Sequence, residues 1–266
     1  MKKYIFTILA ALLTVFTVGC EKTSADKTYV ASYFQMVGAS AMYLGVGDDF
    51  TDPGIIELEG GGKVSTVITD MFGDPVDAVS TEEPGFFTIT YSTTNDQGFY
   101  FEKSRKVYVY DATVTETLGT FVVDPEASYN LSNKKSFSTL SEGWLANPTQ
   151  AYHPYSTTDI EITFTQVVGN IYTCSDLMGG WYTSVQGRGY YYKEKNGDSY
   201  FDYFDMTGYV TLNADMTLTL MSSNIRRWGD GLDYIANSSY DPETKRLKYD
   251  WVYAGSVAAH VEMVKK

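Results

Sequence analysis

Short runs rich in Val, Ile, Thr, Tyr and Phe, broken again and again by Gly, Asp and Asn, constrain this chain more than any other feature. β-branched and aromatic residues suit a pleated, half-buried surface, and the residues between the runs are those that make turns. Aromatics make up 15% of the sequence, and no long helical periodicity follows the first twenty residues. The fold class expected is therefore all-β. Strands are expected at 63–69, 85–92 and 105–111, separated by turn chemistry at Gly73-Asp74-Pro75 and Asn95-Asp96-Gln97-Gly98, a spacing that suits a small antiparallel sandwich. Along Phe86–Tyr91, Phe87, Ile89 and Tyr91 share one face and Thr88 and Thr90 the other, so one face should pack and one should be solvated.

A second set of strands is expected at 159–167, 170–174, 180–185, 189–193, 199–204, 208–212, 217–222, 234–239, 246–252 and 258–264. Hairpin turns fall at Asn196-Gly197-Asp198, Asn213-Ala214-Asp215-Met216 and Asp241-Pro242-Glu243-Thr244. An antiparallel barrel or sandwich follows. Thr120–Val123 is expected to add a strand and Trp144-Leu145 to dock on this second core, because a long structureless connection would be unusual in a compact domain. Ser175-Asp176-Leu177-Met178 reads as one helical turn capped by Ser175 and stopped by Gly179-Gly180.

The N-terminus carries a different signal. Met1-Lys2-Lys3, an apolar run from Tyr4 to Phe16 and then Thr17-Val18-Gly19-Cys20 read as a bacterial lipoprotein export signal, 1–19, with Cys20 the lipidated first residue of the mature chain. The apolar run is too short to span a bilayer comfortably, and residues 20–28 are polar and small, as a tether should be. Several acyl chains would hold such a protein durably without a transmembrane helix. With Cys20 acylated, Cys174 is left without a disulfide partner, and its setting in Ile171-Tyr172-Thr173-Cys174 suits a small buried apolar residue. A formal net charge of −13 argues against nucleic acid and against adsorption to anionic membrane by charge.

Gly47-Asp48-Asp49-Phe50-Thr51-Asp52-Pro53-Gly54, Glu83-Pro84-Gly85 with the strand that follows, Asn95-Asp96-Gln97-Gly98 and Arg105-Lys106-Val107-Tyr108-Val109 together resemble the bacterial immunoglobulin-like domains of cell-surface proteins. The resemblance covers about 29–114, departs at Glu59-Gly60-Gly61-Gly62-Lys63, and implies an Ig-like β-sandwich acting as a spacer. A secreted lipoprotein with this domain resembles the accessory lipoproteins of Bacteroidetes outer-membrane glycan-uptake systems. Asp176-Leu177-Met178-Gly179-Gly180-Trp181-Tyr182 and the C-terminal meander are similar to second domains of that group, some of them lipocalin-like, which implies an antiparallel β domain over 115–266. The resemblance implies the outer membrane as location, the surface rather than the periplasm as orientation, and an uptake complex as a partner. Surface display often goes with an acidic cluster after the lipidated cysteine, whereas Glu21-Lys22-Thr23-Ser24-Ala25-Asp26-Lys27 is mixed.

All four tryptophans, Trp144, Trp181, Trp228 and Trp251, lie in the second half of the chain. Saccharides present apolar C–H faces and many hydroxyls, so a receptor needs an aromatic platform flanked by polar side chains. Trp181 and Trp251 lie in alternating runs and read as core. Trp228 lies between two expected strands beside glycines, with Arg226 and Asp230 as polar companions, and reads as a loop residue open to function. In Gly189-Tyr190-Tyr191-Tyr192-Lys193, Tyr190 and Tyr192 share a face that is either packed or an exposed stripe. The ligand-binding candidates are therefore Trp228, Arg226, Asp230, Tyr190 and Tyr192. Asp48-Asp49-Asp52 and Asp198-Asp202-Asp205 lack the EF-hand spacing and read as turn carboxylates. Zinc-helix, nucleophile-elbow and phosphate-loop motifs are absent, so no cofactor and no catalytic residue is expected. Three functions remain open: binding of an extracellular glycan, docking of a partner protein on the aromatic surface, and carriage of a small ligand inside a lipocalin-like barrel.

Overall fold

The computed structural model of the chain describes residues 33–58, 62–95, 98–145, 159–186, 204–225 and 227–266. In the N-terminal domain β1 (Phe34–Met36), β2 (Ala41–Gly45), β3 (Ile55–Glu57), β4 (Ser65–Thr69), β5 (Pro75–Val76), β6 (Gly85–Thr94) and β7 (Tyr100–Tyr110) form two layers. The larger sheet runs β2-β7-β6-β4-β5, and the β1-β3 ribbon packs over it. Phe34 from the ribbon meets Ile89, Tyr91 and Val107 from the sheet, closing an apolar core between the layers. β2 and β7 pair in parallel, a departure from the wholly antiparallel sandwich expected, because the chain enters this sheet at its edge after crossing from the other layer.

Arg105 is fully buried on β7. Its guanidinium donates to Asp52 at 2.9 Å and to the Val37 carbonyl, while the Tyr91 hydroxyl donates to the same Asp52 carboxylate at 2.5 Å. A charge that would be very costly alone is thereby paired inside the sandwich. Burial beside that carboxylate pushes the Tyr91 phenol well above its ordinary range.

The C-terminal domain contains β8 (Thr120–Val123), β9 (Tyr129–Asn130), α1 (Phe137–Leu145), β10 (Glu161–Val168), β11 (Ile171–Cys174), β12 (Met206–Leu212), β13 (Leu218–Ile225), β14 (Tyr234–Asp241), β15 (Arg246–Tyr253) and β16 (Val257–Lys265). The strands run β13-β12-β11-β10-β8-β16-β15-β14, with β9 on the side of β16, in an antiparallel sheet that curls almost into a barrel. The two edges meet through Leu218 N–H on Ser238 Oγ at 2.8 Å and Tyr240 N–H on the Met216 carbonyl at 2.8 Å. Inward residues fill the barrel: Phe121, Phe164, Tyr172, Trp251 and Val261 are all at most 2% exposed. The Trp181 and Trp251 rings meet edge to face at 5.8 Å, so the space that a lipocalin-type ligand would need here is occupied by side chains. Val114 and Leu118 also belong to this core. Helix α1 was not anticipated, and the side chains of Trp144 and Leu145 lie outside the described set.

The expected strand over 180–185 is instead a π-helical turn, Trp181–Val185, although Trp181 is buried as expected. Asp176 explains the difference. Its carboxylate accepts the amides of Met178 at 2.9 Å, Gly180 at 3.1 Å and Met206 at 3.3 Å, which ends β11 and folds the chain back. Gly180 has φ 78°, and a Cβ there would come within 2.7 Å of Ile160. The cap is thus Asp176 rather than Ser175, whose Oγ accepts the Thr163 amide at 2.9 Å. Burial pushes the Asp176 carboxyl up to about 6 despite these hydrogen bonds. The strands expected at 189–193 and 199–204 lie outside the described residues except for Phe204, which is buried.

The two domains share a small core of Phe86, Tyr108, Ile171 and Met221. Phe86 points away from its own sandwich and tilts against Tyr209 of β12 at 5.0 Å, with Lys106 Nζ 5.5 Å above the Phe86 ring. The face of β6 expected to be solvated is therefore partly covered by the barrel. Asn170 fixes the junction: its Oδ1 accepts the Asp111 amide at 2.8 Å and its amide donates to the Leu212 carbonyl at 3.1 Å. Gly169 has φ 48°, and a Cβ there would lie 2.2 Å from the Tyr110 ring, so the close approach of the domains depends on glycine.

Candidate functional site

The loop after β13 presents the one tryptophan with a large open surface among the described residues. Ile225 N–H donates to the Asp230 carbonyl at 2.7 Å, while Trp228 and Gly229 donate back to the Ile225 carbonyl at 3.0 and 2.8 Å. This tight turn lifts Trp228 to the tip, where it is 42% exposed. One ring face stacks on Tyr253 with centroids 6.1 Å apart and planes 20° apart. Tyr182, at 5.1 Å, and Phe204, at 5.6 Å, pack against it with their rings nearly perpendicular to its own. The Tyr253 hydroxyl donates to Asp230 Oδ2 at 2.8 Å, so an exposed carboxylate stands within the cluster.

Of the residues expected to bind ligand, Trp228 and Asp230 are brought together, through Tyr253. Arg226, Tyr190 and Tyr192 lie outside the described residues, as does the lipidation residue Cys20. Tyr253, Tyr182 and Phe204 had no signal of their own in the sequence. They come from the end of β15, the π-helical turn and the approach to β12, and only the curl of the sheet joins them.

A second concavity lies where the β4–β5 hairpin of the Ig-like domain overhangs the barrel wall. It is a groove of about 740 Å³, bounded by Met71, Phe72 and Phe86 on one side and by hydroxyl-bearing strand residues of β10–β13 on the other. A neighbouring hollow of about 450 Å³ lies between the same hairpin and the β13–β14 seam, with Tyr234 on its rim. Phe72 and Tyr234 are more than half exposed.

Among the described residues no group of three His, Cys, Asp or Glu is placed to hold a metal. Asp48 accepts the Gly45 amide at 2.7 Å and Asp52 the Gly54 amide at 3.1 Å, which are turn-forming tasks. Cys174 is buried, and desolvation raises its thiol well above the ordinary range, which keeps it a protonated core residue. His260 Nδ1 lies 2.6 Å from Asp250 on the barrel exterior, under the ring of Tyr129 at 4.9 Å. No helix among the described residues is long and apolar enough to cross a membrane.

Residues 34–109 match the family model of the Ig-like domain of bacterial surface proteins. A solved structure, the lipoprotein BT2262 of Bacteroides thetaiotaomicron, is 26% identical, with 88% of this chain and 98% of that chain covered and a TM-score of 0.42. No curated protein matches. Residues 130–265 match the family model of the BT2262-like C-terminal domain. That match spans just over half of the 266 residues, and the chain belongs to the family of BT2262-like lipoproteins.

Proposed function

We propose that the protein is a non-catalytic, lipid-anchored protein of the bacterial outer membrane, displayed at the surface, that binds an extracellular polysaccharide or oligosaccharide through its C-terminal domain. Its place among BT2262-like lipoproteins and its bacterial-surface Ig-like domain support the anchored, exposed setting. The carrying observation is Trp228: a ring 42% exposed, stacked on Tyr253 and held by the perpendicular rings of Tyr182 and Phe204. A braced aromatic loses little conformational freedom on binding, and the exposed part of its ring can meet the C–H side of a sugar. Asp230 supplies an acceptor for sugar hydroxyls at its edge. The uptake complex is the assembly in which such a protein would work, with the Ig-like domain as spacer.

Isothermal titration calorimetry of the protein with dextran, galactomannan and yeast mannan tests this reading. Binding by the wild type should fall at least about tenfold in Trp228→Ala, equivalent to about 1.4 kcal/mol, with the melting temperature nearly unchanged. Equal saccharide affinity in wild type and Trp228→Ala would reject the platform and turn the ring toward a partner protein.

A further inference from the structure

Outward residues of β10–β13 form an ordered two-row array beneath the Ig-like hairpin. Strand register aligns Thr165 with Thr173, Thr173 with Tyr209 and Tyr209 with Ser222. In the next row Thr163 and Ser175 adjoin, joined by the Thr163 amide on Ser175 Oγ, and Thr207 pairs with Asn224. Three strand spacings make this shelf about 14 Å wide. Every member carries a hydroxyl or an amide and none carries a charge.

The opposite wall of the same barrel is different. Outward positions of β15 and β16 carry Arg246, Lys248, Asp250, His260 and Glu262, with Arg246 on Glu262 at 2.5 Å. In a chain with a formal net charge of −13, an uncharged two-row patch across four strands stands out, bounded on β10 by Glu161, which pairs with Lys266 at 2.5 Å. Solvation alone would be served by the charged residues used elsewhere. The shelf is also roofed, by Met71 and Phe72 of the hairpin and by Phe86. Asp70 is the one charged residue of the lining, and its Oδ1 is taken up by the amides of Phe72 and Asp74 at 2.9 and 3.0 Å, which shape the hairpin.

We infer that the groove between the domains is a second saccharide site, selective for a neutral, extended glycan chain, an inference that rests on the saccharide-binding reading above. Its volume of about 740 Å³ falls in the range of ligand sites. Hydroxyls and an amide can both donate and accept, as sugar hydroxyls do, so a polyhydroxylated chain leaves few polar groups unpaired on either side. Phe72, 64% exposed at the hairpin tip, offers the apolar face that sugar C–H groups need. Among the described residues one cation borders the groove, Lys106 Nζ over the Phe86 and Tyr209 rings at 5.5 and 5.7 Å, where it is engaged by those rings, and an anionic glycan would have this single partner against the negative field of the whole chain. The Asn170 clamp and the Phe86–Tyr209 contact keep roof and shelf at a fixed separation, so the groove is preorganised.

Affinity electrophoresis of the full mature chain in gels containing dextran, galactomannan, yeast mannan, polygalacturonate or chondroitin sulfate tests the site. Variants are Thr173→Arg, which fills the shelf, Phe72→Ala, which removes the exposed roof ring, and Trp228→Ala; thermal melting confirms that each remains folded. At least one neutral polymer should retard the wild type and neither acidic polymer should. Retardation should weaken at least about fivefold in both Thr173→Arg and Phe72→Ala. If folded groove variants bind as the wild type does while Trp228→Ala does not, the groove is wrong and the platform stands. If the groove variants lose binding and Trp228→Ala keeps it, the groove stands and the platform falls. Retardation by the acidic polymers, or by none, overturns the neutral-chain site.

Discussion

Asp52→Ala should destabilise the Ig-like domain by about 3 kcal/mol, because it leaves the fully buried Arg105 without its counter-charge. The Asp52 side chain is 27% exposed, which places the effect at the low end of the range for breaking a buried pair. The Val37 carbonyl would be left as the main partner of a guanidinium enclosed between the two layers, and the Tyr91 hydroxyl would lose its acceptor. Replacing both members together, Asp52→Leu with Arg105→Met, should recover most of the loss, since an apolar pair of similar volume needs no desolvation of charge. Hydrogen exchange read by mass spectrometry separates the domains: protection of β6 and β7 should collapse in the single variant and persist in β15 and β16. Unchanged protection of β6 in Asp52→Ala would mean that Arg105 is satisfied without the ion pair.

Asp176→Ala should be comparably severe in the barrel. Three buried amides, those of Met178, Gly180 and Met206, would lose one shared acceptor, at about 1–3 kcal/mol for each that finds no substitute. The π-helical turn that seats Trp181 against Trp251 and Tyr182 against Trp228 hangs on that carboxylate. Its effect is pH-dependent in a direction opposite to that of an ordinary paired carboxylate. Burial raises the folded-state pKa of Asp176 from the usual 3.8 to about 6, so the native state holds this proton more tightly than the unfolded chain does. The stability contributed by Asp176 is therefore fully present below about pH 4 and declines as pH rises through about 6. Urea denaturation of wild type and variant across that interval should show the stability gap narrowing with rising pH. A gap that widens would show the ionised form to be the favoured one.

The strand runs were legible because alternation and turn residues agree. Thr120–Val123 is a strand with the expected bounds, and β11, β14, β15 and β16 lie within two residues of theirs. The Trp181–Val185 segment was misread because Trp-Tyr-Thr-Ser-Val has strand composition, while the deciding events are a buried carboxylate and a glycine of positive φ that precede it. Phe87, Ile89 and Tyr91 were correctly placed on one core-facing side, yet nothing local distinguishes Phe86, whose burial depends on a barrel contributed by residues far along the chain. The exposure of Trp228 was legible from its glycine-flanked loop. Its brace, Tyr253, lies 25 residues away, and the alternation around it reports only that it faces inward. The hydroxyl shelf is illegible in sequence for the same reason: Thr and Ser at alternate positions read strand by strand as solvated faces, and only register sets four strands side by side.

A glycan microarray probed with wild-type residues 20–266 tests the saccharide-binding claim most directly. The expected result is retention on a coherent set of neutral, extended glycans, reduced in Trp228→Ala. A chain that is folded by its thermal melt and yet retained on no saccharide would contradict the account.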